Sequence, residues 1–200
     1  DIAVSMETAY RSFDRAKFAE LCEKFEVDSE HTKKPRPMHK QSDGNRMRTC
    51  LASVFARETE LLVLDEPGSS LDPLMRDRLC DRMRDYLDEG DGKKSIIFST
   101  HNIADMENAA DYAVFMDKGH VIEQGFIEEL KEKYIVVSGD SEGWEQAKPL
   151  LMSGSHNRTT FEGLALSENA RALAETGAEY AAPTLQQLSV GLLKYAEEHR

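Results

Sequence analysis

Leu61-Leu62-Val63-Leu64-Asp65-Glu66-Pro67-Gly68 decides how the rest of this chain is read. Four consecutive apolar residues stop at two adjacent carboxylates and a Pro-Gly pair. A run this short, closed by a turn signal, predicts a fully buried strand of the parallel-sheet kind. Pro73 then opens a pattern that predicts a helix reaching Asp88 or Glu89, stopped by Gly90. Ser95-Ile96-Ile97-Phe98-Ser99 is a second buried strand, 102–110 reads as a helix, and 112–116 as a strand. Asp117-Lys118-Gly119 turns that strand into another at His120-Val121-Ile122. Strand, helix, strand, helix, strand over 61–116 predicts an α/β fold with a parallel sheet.

Upstream, 13–27 reads as an amphipathic helix with Phe13, Phe18, Leu21, Cys22 and Phe25 on one face and Ser12 or Asp14 as its cap. The polar stretch 28–44, with Pro35, Pro37 and several lysines, is a loop. A helix over 45–57 should bury Met47, Cys50, Leu51, Val54 and Phe55. From about Ile135 the texture changes. Ile135-Val136-Val137 is strand-like, a polar stretch holds Trp144, and helical patterns follow at 167–176 and 184–198. This reads as a small α/β appendage. The expected division is 1–58, 59–134 and 135–200.

Hydrophobic residues make up 40% of the 200, enough for a packed core, and the net charge is −12. That charge argues against a nucleic-acid binder, which needs a basic face, and against adsorption to an anionic membrane. Cys22, Cys50 and Cys80 are odd in number and widely spaced. They suit a reducing compartment and small buried apolar sites better than a disulfide or zinc framework. No apolar run is long enough for a transmembrane helix, so no direct membrane insertion is expected. Asp1 is not an initiator Met, and the expectation is a piece of a longer protein.

Adjacent carboxylates at the C-terminal end of a buried strand lie where ligands bind in open α/β sheets. Asp65 can hold Mg²⁺ directly or through water, and Glu66 can orient and polarise an attacking water, as phosphoryl transfer requires. The alternative is a strand that merely ends in an acidic turn. His101, in Ser99-Thr100-His101-Asn102, follows the second strand and so lies on the same edge, where an imidazole can donate to a phosphate. A histidine at a strand end is otherwise a packing or capping residue.

In combination these motifs resemble the ATP-binding subunits of ABC transporters. Leu61 through Pro67 is similar to the family's Walker B strand, Ser69-Ser70-Leu71-Asp72 to its D-loop, and Ser99-Thr100-His101 to its switch histidine. Gln41-Ser42-Asp43-Gly44-Asn45 stands in the place of the L-S-G-G-Q signature, at the family's interval before Asp65. The stretch from Asp111 through Gly119 to Gly125 is similar to the closing hairpin. Tyr10-Arg11-Ser12-Phe13-Asp14, the Ser-x-Gly signature and Phe161-Glu162-Gly163-Leu164 resemble bacterial drug and antibiotic exporters whose ATPase and permease are separate polypeptides.

The resemblance implies an incomplete P-loop NTPase core of RecA-like, ABC type, with part of a helical subdomain. It implies ATP and Mg²⁺ as ligands, Asp65 as the metal carboxylate, Glu66 as catalytic base and His101 as the γ-phosphate switch. It also implies that Ser42, Gly44 and Asn45 serve the nucleotide of a second ATPase subunit, with Asp72 coupling the two sites. The partners would be that subunit, in a homo- or heterodimer, and an integral-membrane permease. The location would be cytoplasmic, peripheral at the membrane. Two alternatives are a soluble ABC-type ATPase of DNA repair or translation and a non-catalytic truncated fragment. His101 and the net charge of −12 weigh against the first, since 33–40 is the lone basic cluster.

The sequence departs from the family in two ways. No G-x-x-x-x-G-K-[ST] occurs in the 200 residues, so the backbone nest and lysine that cradle phosphates are lacking from them. The signature carries Gln41, Asp43 and Asn45 at altered positions, and Asp43 would set a negative charge near a triphosphate unless a cation offsets it. These 200 residues by themselves are therefore expected not to bind Mg-ATP. Calorimetric titration should be flat, and a one-to-one isotherm of micromolar affinity would reveal a phosphate site that this reading misses.

Overall fold

A computed structural model describes residues 2–28 and 37–199. The loop expected over 28–44 has its middle, 29–36, outside the described residues, together with part of the basic cluster. The chain divides into two compact units, Asp1–Ala109 and Ala110–Arg200.

The first unit begins with α1 (Ile2–Ala9), which the sequence reading did not anticipate because it carries no capping signal. α2 spans Arg15–Lys24, shorter at both ends than expected, with Asp14 accepting from the amides of Ala16 and Lys17 at 2.8 and 3.0 Å. Phe13 instead forms a backbone bridge with Arg57. α3 (Asp43–Phe55) and α4 (Pro73–Asp88) flank β1 (Leu61–Asp65) in sequence. β2 (Ser95–Ser99) pairs parallel with β1, Leu61 opposite Ser95 through Asp65 opposite Ser99. α5 (Ile103–Met106) is a single turn that passes into a 3₁₀ turn, where a longer helix was expected.

One core serves this unit, built from Phe18, Leu21, Cys22, Leu51, Phe55, Leu62, Leu64, Leu79, Met83 and Tyr86 among others. Phe55 meets Tyr86 edge-on at 5.9 Å, and the Tyr86 hydroxyl donates to the Thr59 carbonyl at 2.6 Å. A cation at a helix C-terminus satisfies carbonyls that have no partner within the helix. Arg48 of α3 reaches the Glu26 carbonyl at 2.8 Å and Arg78 of α4 the Lys24 carbonyl at 3.1 Å, so α2 is tied at its end to both neighbours.

The structure differs from the sequence expectation at three places. β1 and β2 are buried on one face only, for Leu61, Val63 and Ile97 are 50%, 71% and 61% exposed while Leu62 and Leu64 pack inward. Cys50 is exposed, because α3 turns its Asn45–Thr49–Ala52 stripe to the core and a position one residue after Thr49 falls outside it. The strand at 112–116 does not extend the parallel pair. It is β3 (Tyr112–Asp117), which pairs antiparallel with β4 (His120–Phe126) across Lys118 and Gly119. Both turn residues have positive φ, 47° and 84°, the conformation of a two-residue hairpin turn whose twist matches the strands and sends the chain straight back.

The hairpin belongs to the second unit, so the structural division falls at 109/110. α6 (Ile127–Lys133) leads into β5 (Tyr134–Asp140), then α7 (Trp144–Ala147), β6 (Ser153–His156), β7 (Thr160–Leu166), α8 (Ala170–Glu175), β8 (Glu179–Ala181) and α9 (Leu185–Glu198). The four strands β5 to β8 form one antiparallel sheet in the order β6-β7-β5-β8. From β5 to β8 this is the β-α-β-β-α-β arrangement of ferredoxin-like folds. Ile135, Val137, Phe161 and Ala165 share a face with Trp144 and Leu173. α9 approaches the sheet closely at Gly191, where a Cβ would lie 2.7 Å from the Leu164 side chain.

A buried cation organises α4. Arg82 is 6% exposed and pairs with Glu89 at 2.8 Å, while Lys17 of α2 reaches the same carboxylate at 2.8 Å. The Arg82 hydrogen bond, opposed by burial and assisted by Lys17, lowers the Glu89 pKa from its ordinary 4.5 to about 2. A depressed carboxylate contributes stability above its unfolded value and loses it as pH falls through the folded one. Glu89→Gln should therefore cost on the order of 1 kcal/mol at pH 7, because Glu89 is 38% exposed, so water screens the loss, and Asp85 stays near Arg82 at 3.8 Å. In denaturant titrations of the two proteins the gap should be full above about pH 4.5 and shrink toward about pH 2.

Candidate functional site

The site stands at the C-terminal ends of the two parallel strands. Parallel pairing carries both chains to the same edge, so Asp65 and Ser99 end opposite each other. The Ser99 hydroxyl donates to Asp65 Oδ1. The Glu66 amide donates to Ser99 Oγ at 3.1 Å and to the Ser99 carbonyl at 3.2 Å. Glu66 itself has φ +47°, a left-handed conformation that a non-glycine residue adopts at a cost of roughly 1–2 kcal/mol. Such outliers gather at functional sites. The turn turns its side chain toward His101, whose Nδ1 lies 2.7 Å from Glu66 Oε1.

The carboxylates and the histidine that were singled out in the sequence are thus brought together. Glu66 is 33% and His101 77% exposed, so the pair is open to solvent on the histidine side. Ser99 was not singled out. Its signal was available in the pairing of two strands of equal length, which sets the last residue of one against the last of the other. No group of three or more His, Cys, Asp or Glu side chains that could enclose a metal exists among the described residues. One exposed carboxylate with a neighbouring hydroxyl fits Mg²⁺, which keeps most of its waters and takes other ligands from phosphate.

The second cluster is the N-terminus of α3. Ser42 caps it, accepting from the Asn45 amide at 3.2 Å. Asp43 is ion-paired to Arg46 one turn on, so the negative charge that the sequence set there is offset within the helix. Gly44 faces the turn after β1. A Cβ at Gly44 would stand 2.9 Å from the Ser70 carbonyl, closer than real Cβ atoms approach. Asn45 points inward and is 2% exposed. Its carboxamide donates to Gln41 at 2.7 Å and accepts from the Asp28 amide at 3.0 Å, so its role in this structure is to hold the chain on either side of residues 29–36.

Asp72 caps α4, accepting from the Met75 amide at 3.1 Å, with Pro73 in the first turn. Between Glu66 and Asp72 the chain makes consecutive turns, Ser69 N–H to Glu66 O and Leu71 N–H to Gly68 O, both 3.1 Å. Arg76 Nε donates to the Gly68 carbonyl at 3.1 Å and holds this segment on α4. The segment from the carboxylates to Ser70 and the N-terminus of α3 therefore touch through Gly44.

A mixed α/β fold with carboxylates at the end of a parallel strand, answered by a histidine on its neighbour, is an arrangement found in P-loop NTPases, although the phosphate-binding loop itself is not among these 200 residues. The chain matches the family model described as "AAA domain, putative AbiEii toxin, Type IV TA system" over residues 7–106. It belongs to that family of AAA domains, and its relatives and fold are those of ABC-type ATPases. It is 38% identical over 92 residues to the phosphate import ATP-binding protein PstB of Thermotoga maritima, covering 46% of this chain and 35% of that one. It is 34% identical over 118 residues to YxlF, an uncharacterised ABC transporter ATP-binding protein of Bacillus subtilis, covering 55% and 38%. The chain thus spans little more than a third of the length of these curated relatives. A solved "ATP binding subunit of ABC transporter" superposes with a TM-score of 0.54 at 23% identity over 64% of this chain and 52% of that one, a likeness of fold.

Gly44→Ala forces either α3 or the Ser70 turn to move. It should destabilise these 200 residues by about 1–3 kcal/mol in denaturant titration without any nucleotide present. Stability equal to that of the unsubstituted chain would free Gly44 from this packing role.

Proposed function

We propose that this chain is part of an ATP-binding and ATP-hydrolysing subunit of an ABC transporter. The observation that carries the reading is the left-handed Glu66, placed by Ser99 and paired with His101 beside Asp65. Asp65 would hold Mg²⁺, which supplies charge neutralisation at the phosphates when bound. Glu66 is the general base: it lies at the sheet edge with a carboxylate oxygen already engaged with a group that can pass on or hold a proton. His101 Nδ1 is taken by Glu66, which leaves Nε2 for a phosphate oxygen.

In this reading Ser42 and Gly44, at the capped start of a 13-residue helix, serve the nucleotide of a second ATPase subunit. Amides at a helix N-terminus suit an anion. Asp72 couples the two sites through the turn that Gly44 touches. Asn45 contributes by holding the loop rather than by reaching the nucleotide. The partners we propose are that ATPase subunit and a membrane permease, with a cytoplasmic location at the membrane surface. No helix among the described residues is long and apolar enough to cross a membrane.

We further propose export as the direction, resting on the resemblance of the Tyr10–Asp14 segment, the Ser-x-Gly signature and Phe161-Glu162-Gly163-Leu164 to exporters. The named phosphate-import relative covers 46% of this chain, so it speaks to the ATPase motifs rather than to direction. The domain division over 1–58, 59–134 and 135–200 is kept as a functional one, with the ferredoxin-like part as a regulatory or subunit-contact module.

Glu66→Gln in the complete subunit should leave ATP binding nearly intact and lower turnover by about 10²-fold or more, the range for a lost acid–base group. ATPase activity within a factor of two of the unsubstituted protein would refute the base role.

A further inference from the structure

We propose that Ser99 is a positioning residue for this reaction, holding both carboxylates through one hydroxyl. The inference rests on the ATP-hydrolysis reading above and extends it to a side chain that the reading does not use. A serine hydroxyl has one proton to give and lone pairs to receive. Here the proton goes to Asp65 Oδ1 and a lone pair takes the Glu66 amide at 3.1 Å. One oxygen therefore sets the rotamer of the first carboxylate and the backbone that aims the second.

The placement is specific to this position. Asp65 opposite Ser99 is the last pair of the parallel ladder. Beyond it the amide of Glu66 donates to Ser99, at its hydroxyl and at its carbonyl. That amide belongs to the residue with φ +47°, the conformation most in need of being held. Ser99 is exposed, so its hydroxyl is not there to satisfy a buried polar group. An exposed hydroxyl adds little to folding stability, since water competes for both of its hydrogen bonds. What it does supply is orientation, and a displacement on the order of 1 Å at a reacting group lowers rates by up to about 10²-fold.

The test compares Ser99→Ala, Ser99→Thr and Glu66→Gln, singly and as Ser99→Ala/Glu66→Gln, in the complete subunit. Ser99→Ala should lower kcat about tenfold and leave KM for ATP within about twofold. Ser99→Thr, which keeps the hydroxyl, should recover most of the rate. Adding Ser99→Ala to Glu66→Gln should cost less than Ser99→Ala costs alone, because one of the two carboxylates that the hydroxyl places is already gone and only Asp65 is left to lose its orientation. Hydrogen exchange at the Glu66 amide, read without nucleotide or metal, should be faster in Ser99→Ala and unchanged in Ser99→Thr. Unchanged kcat in Ser99→Ala, an unrescued Ser99→Thr, or equal protection of the Glu66 amide in all three overturns the inference. Failure of the base reading shows separately, as Glu66→Gln turning over like the unsubstituted protein whatever the serine variants do. Should Ser99→Ala prove insoluble, Ser99→Cys, close in size and a weak donor, takes its place with the same expected outcomes.

Discussion

The register between β1 and β2 is the constraint on which the first unit depends. Leu62 sits opposite Ile96, Leu64 opposite Phe98 and Asp65 opposite Ser99. Side chains alternate along a strand, so a slip of one residue would turn Leu62 and Leu64 to solvent and Asp65 into the core. Leu62 and Leu64 are buried with Leu79, Met83 and Phe55. Burial of those two leucines thus decides that Asp65 projects to the open side and that the next residue, Glu66, must turn away from the ladder. The chemistry at the edge follows from apolar packing three residues upstream of it.

That dependence explains which parts were legible in the sequence. The strand and helix order 61–99 could be read because each element carries its own stop: Pro67-Gly68 after β1, and Asp72-Pro73 before α4. Glu66 and His101 could be placed on one edge because parallel strands share direction. The misreadings have physical causes as well. An apolar run such as Leu61–Leu64 is the same whether one face or two is covered, and here one is. In α3 the inward stripe includes Asn45 and Thr49, polar residues whose hydrogen bonds to Gln41, Asp28 and the Asn45 carbonyl replace apolar contact. A stripe counted from hydrophobic residues alone was rotated by that much and drew Cys50 inward. In the second unit β6 is Ser153–His156 and β8 is Glu179–Ala181, short and mostly exposed strands with little apolar alternation to read.

The residues at the start of α3 show how a motif can be structural and functional in the same atoms. Ser42 caps the helix, Gly44 gives the Ser70 carbonyl room to approach, and Asn45 fastens the loop on both sides. Each interaction fixes the height and direction of the helix N-terminus relative to the turn that begins at Glu66. Amides at that terminus are useful to an anion only if the helix cannot tilt, and these are the contacts that prevent tilting.

Charge at that terminus acts on the helix and on an incoming anion in opposite senses. A carboxylate at the first helical position stabilises the helix, because it faces the positive end of the macrodipole. The same charge repels a phosphate approaching the same amides. Asp43 is 75% exposed and is ion-paired with Arg46, itself partly exposed. Exposed pairs are worth little to stability, since water screens them. For an incoming anion the balance differs: the guanidinium has five donors and uses one or two on Asp43. The helix start is therefore a neutral pair rather than a bare negative charge. Replacing Arg46 without Asp43 would leave the carboxylate unopposed beside the capped amides, whereas replacing both would restore neutrality with no donor. The departure at Asp43 is thus half of a two-residue arrangement whose other half lies one turn further along α3.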